Sequence, residues 1–381
     1  MASNGNSPET PPSSEELEIS IFGPGFGECI VLHFGNGDWA IVDSCLDPET
    51  KRPAALQYLE SIKVNVAKSV LFIAATHWHD DHIQGLNLVF KCAESAVFAC
   101  SGAVRHPDFN GILSSWTGTQ YLPGGSGLDE LRAIMVELKK RNSDTRFPTP
   151  VLATSNKTLW ERKTEPISSI KALSPSDASV LAATAKLKAI NPQSAKIRRR
   201  IPDVTPNDAS VVLAVHVGRH RVLLGADLEV QADASLGWKA IVNNFDASNE
   251  KHHGFKISHH GSSNGHHEAV WNQMLINNPW AVTTPFVRGK LKLPSKDDCQ
   301  RVLGYTTNAF LTAPPQPRKF RDSDRAVEKM VNETAILAHF IPGRYGHVRL
   351  RKRVADSPDS PWNVDLFGHA TKVEDYLQSV R

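Results

Sequence analysis

No apolar run in the 381 residues approaches the roughly 18 needed to span a bilayer, which excludes a helical membrane anchor. No charged-then-apolar leader opens the sequence. Cysteine is scarce: Cys29, Cys45, Cys92, Cys100 and Cys299 are odd in number and form no C-x-x-C pair. That argues against a disulfide framework and for a reduced, cytoplasmic chain. Charge of one sign is also lacking, since 43 basic and 40 acidic side chains leave a net +3. So small an excess neither requires nor excludes a nucleic-acid partner. No solenoid-length repeat is present. With 40% hydrophobic residues and 24 each of Gly and Pro, the chain is neither disordered, collagenous nor a coiled coil. What it does have is 16 histidines, and their positions decide what they mean.

Residues 1–16 are Pro, Ser, Asn and Glu with little to bury, so a disordered tail is expected. LEISIF, CIVLHF and WAIVDSC then read as three antiparallel strands, followed by a helix over 53–63 and a buried strand, SVLFIAAT. The stretch from about 105 to 165 is mixed, with one helical stripe at Leu128, Leu131, Met135 and Leu138. A helix over 175–191 precedes a basic run, KIRRR. SVVLAVHV and VLLGAD form a hairpin, FKIS a strand, HEAVWNQMLI a helix, and WAVTTPF a strand. Ser295 can cap DDCQRVLGY through a capping box with Asp298. AFLTAPP is a further strand, and ILAHFI with HVRLRKR reads as a closing hairpin. These patterns place one domain over 17–353, with a variable insertion near 105–165 and a tail over 354–381.

Directly after the buried strand stands THWHDDHIQG, with His77, His79, Asp81 and His82 inside six residues. Where a strand ends the backbone turns, and alternate side chains can converge on one point. Neutral imidazoles at 77 and 79 suit one metal ion; Asp81 and His82 suit a second. A solvated loop with chance histidines seldom produces so dense a pattern. Asp227 ends the apolar run VLLGAD, where a buried acid needs a reason, either bridging two cations or capping the next segment. FKISHHGSS puts His259 and His260 at another strand end. Alternation after Phe255 and Ile257 favours His259 as the ligand, leaving His260 a catalytic role at the substrate. Asp43 in AIVDSC reads as support behind the metal-binding histidines.

In these motifs the chain resembles the metallo-β-lactamase superfamily, and most of all the ComEC-type hydrolase domains of bacterial competence DNA-uptake proteins. FGPGFGECIVL, AIVDSC, THWHDDHIQGL, NDASVVLAV with VLLGAD, and KISHHGSS occur in the order those domains show. The resemblance spans about residues 17–353. It implies an α/β (α+β) fold, a four-layer αββα sandwich, with a dinuclear site at its rim. It implies two divalent ions, Zn2+ or Mn2+ with Mg2+ a further option, held by His77, His79, Asp81, His82, Asp227 and His259. The chain also departs from the pattern. Ala226 separates Gly225 from Asp227, and His79 replaces the Asp common in ComEC-type loops. The superfamily's middle histidine has no clear counterpart; His106 and His216 are candidates, with Asn207 or Asp208 as substitutes.

The chemistry expected of such a centre is phosphodiester hydrolysis of DNA or RNA, with a shared water deprotonated near neutral pH as nucleophile. Asp81 would orient it and take part in proton transfer, while His260 or Ser262 holds the phosphate. Arg198, Arg199 and Arg200 in KIRRR, the segment 318–325 and GRYGHVRLRKR could neutralise a nucleic-acid backbone, as could any solvated basic face. Trp116, Tyr121 and Trp160 could stack on bases or pack in the core. Small-molecule hydrolysis on the same fold (a cyclic-nucleotide phosphodiesterase, lactonase or thioesterase) and a binding-only module are the competing readings. Partner proteins of a DNA-processing or defence system fit the resemblance. His33, His220, His252, His253, His266, His267, His339, His347 and His369 read as background, those near FKISHH as solvated.

Overall fold

The computed structural model describes residues 7–23, 26–105, 127–141, 149–189, 206–246, 251–315 and 345–380. Eighteen strands are numbered in chain order. Glu16–Gly23 (β1), Cys29–His33 (β2), Trp39–Val42 (β3), Val70–Ala75 (β4), Val97–Ser101 (β5) and Val151–Ala153 (β6) come first. Lys157–Arg162 (β7), Ser168–Ala172 (β8), Leu213–Val217 (β9), His220–Leu224 (β10), His252–Lys256 (β11) and Leu275–Thr283 (β12) follow. Phe286–Arg288 (β13), Leu291–Leu293 (β14), Ala309–Leu311 (β15), Gly346–Arg353 (β16), Asn363–Gly368 (β17) and Thr371–Lys372 (β18) complete the set.

Two eight-stranded sheets result, ordered β17-β16-β1-β2-β3-β4-β5-β6 and β18-β15-β12-β11-β10-β9-β8-β7. Each has an antiparallel part, as in β1-β2-β3 and β8-β9-β10, that gives way to parallel strands, as in β3-β4-β5 and β10-β11-β12. Their layering follows from strand alternation. Trp39 and Ile41 join one apolar cluster, while Ala40 and Val42 join another that also contains Val222, Leu224, Trp280 and Val282 of the second sheet. Leu223 and Ala281 face a third cluster. Three apolar interfaces mean four layers.

Helices cover the outer faces. Ala54–Ser61, Leu86–Cys92 and Gly127–Arg141 bury Leu59, Phe90 and Ile134 on the first sheet. Gly237–Asn243, Lys296–Leu303 and Val373–Ser379 bury Trp238, Val302 and Tyr376 on the second. The αββα sandwich expected from the sequence is the architecture present. The capping box at Ser295 and Asp298 is formed as expected. No described helix is long and apolar enough to cross a membrane.

Several expected segments differ. HEAVWNQMLI is not a helix throughout: a single wide turn, Val270–Met274, runs straight into β12 at Leu275. Residues 7–15 lie along the first sheet, with Arg349 donating to the carbonyls of Ser7, Pro8 and Thr10. Residues 363–379 are no loose tail either. β17 pairs with β16, β18 with β15, and the last helix packs in the third cluster. HVRLRKR therefore lies inside a sheet, between β1 and β17. Its supposed hairpin partner ILAHFI falls outside the described residues.

Candidate metal centre

β4 ends at Ala75, and the chain turns through Thr76 into the short helix Asp80–Ile83. Backbone bonds pin this loop from three sides: Glu28 N to Asp81 O, Ser44 N to His82 O, and Val211 N to Thr76 O. The Asp80 carboxylate accepts from Gly127 N and so ties the loop to the long outer helix. From the second sheet, the turn after β10 brings Asp227 and the turn after β11 brings His260. Both turns hold non-glycine residues in the left-handed region, at Ala226 (φ 45°), His259 (φ 46°) and His260 (φ 53°), and Asp43 (φ 60°) does the same after β3. Strain of this kind survives where the surroundings over-determine it.

Two donor sets meet there. His77, His79 and Asp227 form one; Asp81, His82, Asp227 and His260 form the other, and Asp227 belongs to both. His77 Nε2 lies 3.1 Å from His79 Nδ1 and 4.0 Å from Asp227 Oδ2. In the second set, His82 Nε2 is 3.2 Å from Asp227 Oδ1 and 3.7 Å from Asp81 Oδ2. His260 Nε2 is 3.1 Å from Asp81 Oδ2 and 3.3 Å from Asp227 Oδ2. Four donors about 2.1 Å from one tetrahedral ion would sit roughly 3.4 Å from each other, so this spacing suits a metal.

Hydrogen bonds to the far ring nitrogens fix which nitrogen faces inward. Thr76 Oγ1 donates to Asp43 Oδ2 and therefore accepts from His77 Nδ1, at 3.0 Å. His82 Nδ1 donates to Asp43 Oδ2 at 2.7 Å, and His260 Nδ1 donates to the Thr284 carbonyl at 3.0 Å. Each ring thus presents Nε2 to the centre, which is how a protein orients imidazole ligands. His82 Nε2 and Asp227 Oδ1 are buried without a well-formed hydrogen bond, as expected of atoms meant for an ion.

Electrostatics agree with a cation site. Burial would depress the His260 imidazole, but the Asp227 and Asp81 carboxylates outweigh it and hold its pKa up to about 10. The same contest, with Asp227 and Asp81 again prevailing, holds His82 well above its usual range. Burial works against the ionised Asp227, yet His260 and His82 keep its carboxyl well below the ordinary range. Burial, with His82 and His79 nearby, pushes His77 far down, so it offers a neutral ring. The centre draws positive charge toward its two carboxylates, and His77 supplies an uncharged donor beside them.

A buried ion pair lies behind the second donor set. Lys256 on β11 meets Glu28 at 2.5 Å, and both side chains are almost fully enclosed. Glu28 Oε2 also accepts from Thr284 Oγ1 at 2.6 Å, on the residue whose carbonyl fixes His260. Thr76, Ser210, Glu28, Lys256 and Thr284 escaped the sequence reading. All lie in segments the sequence singled out, but nothing local marks their contacts, such as Ser210 Oγ at 3.5 Å from His77 Nδ1, which only folding creates.

His77, His79, Asp81, His82 and Asp227 stand together, and Asp43 lies behind His82. The positions of the two adjacent histidines are exchanged relative to expectation: His260 faces the donors, while His259 turns away. His259 Nδ1 lies 3.4 Å from Glu229 Oε1, and its Nε2 is 3.3 Å from Asn207 Nδ2. Strand alternation does not reach them, because β11 stops at Lys256 and both residues are left-handed. Asn207 and Asp208 are engaged elsewhere: Asn207 donates to Glu229, and Asp208 pairs with Lys186 and accepts from Gln231. His216 sits in mid-sheet, near His252. Ser262 donates its hydroxyl to Asn264 within its own turn.

Three basic residues of β16 cannot line a groove, whereas Arg353 at its end is exposed and paired with Glu15. Arg349 pairs with Asp365, Arg351 with Glu18, and Lys352 donates to the carbonyls of Pro358 and Ser360. All three are buried, because β16 is covered by the N-terminal segment and by β17. Trp160 stacks on Phe34 in the inter-sheet core. Arg198, Arg199, Arg200, the segment 318–325, His106, Trp116 and Tyr121 lie outside the described residues. His252 and His253, read as solvated, are buried at 3% and 7% exposure.

No protein-family model matches the chain. No curated protein matches it either. Among solved structures it is similar to the metallo-β-lactamase-fold protein YhfI from Bacillus subtilis, at 11% identity and a TM-score of 0.40, over 78% of this chain and 95% of that one. It is also similar to a Cronobacter sakazakii metallo-β-lactamase with a HARLDQ motif, at 12% identity, TM-score 0.34, and 62% and 76% coverage. A third likeness is to metallo-β-lactamase SMB-1 bound to 2-mercaptoethanesulfonate, at 14% identity, TM-score 0.30, and 60% and 70% coverage. These are likenesses of architecture, at identities too low to speak for chemistry.

Proposed function

We propose that the chain is a dinuclear metallohydrolase that cleaves phosphodiester bonds in a polynucleotide. The observation carrying this reading is the pair of donor sets joined through Asp227. Zn2+ or Mn2+ bound there supplies Lewis acidity and a water that ionises near neutral pH. His77, His79 and Asp227 would hold one ion; Asp81, His82, Asp227 and His260 would hold the other. Asp81 would serve as a ligand and would orient the attacking water and accept its proton. Asp43 keeps His82 in its ligating tautomer, and Thr284 does the same for His260.

A two-stranded ribbon beside the centre supports a polyanionic substrate. β13 and β14 form it, and Phe286 at its base lies 5.2 Å from the His260 ring and 5.5 Å from Phe26. Its outer end carries Arg288, Lys290 and Lys292, all exposed, and the charge of Arg288 reaches Asp80 in the metal loop. Such a cationic finger can hold backbone phosphates on either side of the bond to be cut.

The test is an assay of the purified protein with Mn2+ or Zn2+ on linear and circular DNA, RNA, cyclic nucleotides, a lactone and a thioester. Polynucleotide cleavage is expected, abolished by Asp81→Ala. Replacing Arg288, Lys290 and Lys292 by Ala should raise KM for polynucleotide by about tenfold, with little change on a small phosphodiester. Turnover of only the lactone or thioester would overturn the phosphodiester reading.

A further inference from the structure

Two rings of the metal centre are reached from behind by a carboxylate acting through a threonine. The first chain of contacts runs from Asp43 through Thr76 to His77: the Thr76 hydroxyl donates to Asp43 Oδ2 and accepts from His77 Nδ1. The same order of groups recurs from Glu28 through Thr284 to His260, built from unrelated positions. This second chain runs between the sheets, since Glu28 immediately precedes β2 and Thr284 immediately follows β12. Thr284 Oγ1 donates to Glu28 Oε2 at 2.6 Å and lies 3.4 Å from His260 Nδ1, whose nearer acceptor is the Thr284 carbonyl at 3.0 Å.

What stands behind Glu28 fixes the direction of the second chain. Its carboxylate meets the Lys256 ammonium at 2.5 Å, and a carboxylate in such a pair can only accept. The Thr284 hydroxyl therefore gives its one proton to Glu28, which turns its lone pairs toward His260. The Nδ1 proton of the ring then faces two acceptors on Thr284, and Nε2 is left for an ion. Without the carboxylate the hydroxyl could aim its proton at the ring instead and favour the opposite tautomer. Glu28 serves neighbouring ligands as well. Its backbone N–H donates to the Asp81 carbonyl at 2.8 Å, and its carboxylate lies within 4.8 Å of donor atoms of Asp43 and His82. The Lys256 carbonyl accepts from Gly225 N, two residues before Asp227.

We propose that Glu28 is a positioning residue for the second donor set: it fixes the ring of His260 through Thr284, and Lys256 is there to hold Glu28. An ion pair enclosed this completely adds little net stability, since apolar side chains of similar volume serve the fold as well. Its effect falls on the ligands in front of it. The proposal rests on the reading of the cluster as a metal centre, and not on which bond that centre cuts.

The test is Zn2+ titration of the full-length chain in competition with a chelator, which separates a tight ion from a weak one, with denaturant unfolding alongside. Thr284→Val keeps the carbonyl, the volume and every charge but removes the hydroxyl; Thr284→Ser returns it. The tight ion is expected to bind about tenfold more weakly in Thr284→Val and as in wild type in Thr284→Ser, with the weak ion unchanged in both. Glu28→Gln combined with Lys256→Met should weaken the tight ion at least as much while the unfolding midpoint stays close to wild type, because the pair is removed whole. Wild-type affinities in Thr284→Val, equal weakening of both ions, or no recovery in Thr284→Ser would overturn the proposal and leave the metal centre standing. A wild-type chain that takes up no Zn2+ would remove the metal centre itself, and the proposal with it.

Discussion

The two halves of the metal centre are built unequally. The half formed by His77 and His79 has three protein donors counting the shared Asp227, and His79 is half-buried. The half formed by Asp81, His82 and His260 has four, all buried. Support differs as well: Asp43 and Thr284 fix the rings of the second half, and the Glu28–Lys256 pair stands behind Thr284. In the first half, among the described residues, the far nitrogen of His77 is held by Thr76, itself bonded to Asp43, and more distantly by Ser210. A closed, well-supported set binds tightly and a three-donor set keeps a coordination position open, which is the usual division between structural and reactive metal positions. Under the proposed function, the second half would hold its ion firmly, while the first would exchange its ion and meet substrate.

The comparison can be broken most decisively at the atom both halves share. Asp227→Ala should empty both positions, so metal analysis falls from two ions per chain toward none. Activity should fall by at least about a thousandfold, or ~4 kcal/mol of transition-state stabilisation. Retention of both ions would dissolve the bridging role. The next effect in size concerns the buried pair behind the second half. Lys256→Met leaves the Glu28 carboxylate enclosed and unpaired, which should cost about 3–5 kcal/mol in denaturant unfolding. Lys256→Met combined with Glu28→Gln should recover much of that loss. If the single variant were as stable as wild type, the pair would not be holding the two sheets in register at the centre. The smallest effect sharpens the asymmetry itself. Asp43→Asn should weaken one ion by about 10–100-fold, while His79→Ala should release the other and leave the tight one in place. Identical titration curves for the two variants would mean that the halves are not distinct.

Much of the centre could be read from the chain because the first sheet supplies it locally. His77, His79, Asp81 and His82 sit in one turn, and their spacing is visible without any fold. Asp227 could be read for a different reason: an acid closing an apolar strand requires a partner. His260 could not be separated from its neighbour, since the answer lay in two left-handed residues that alternation cannot anticipate. Glu28, Lys256 and Thr284 meet from distant points of the chain and share no motif. The arginines of β16 were misread for the same reason: sequence gives a charge but not the Asp365 or Glu18 that encloses it. The four-layer fold was implied by the family resemblance of the motifs; the strand and helix pattern by itself gave only alternating elements with antiparallel pairs. The role of residues 363–379 was not legible, because short strands and a helix of about two turns look like tail until a sheet edge receives them.

The position of β16 has a consequence for the order in which the molecule is assembled. β1 is paired on one side with β2 and on the other with β16, so Glu16 lies opposite Arg353. During synthesis, the β1–β2 hairpin keeps an open edge until β16, far downstream, has been made. An unpaired edge is the part of a sheet most open to pairing with other chains. Contacts this distant in sequence also slow folding. The metal loop is made early, but Asp227 and His260 reach it only after the second sheet has formed. The centre therefore needs both sheets, and ion binding there would report on the folding of both.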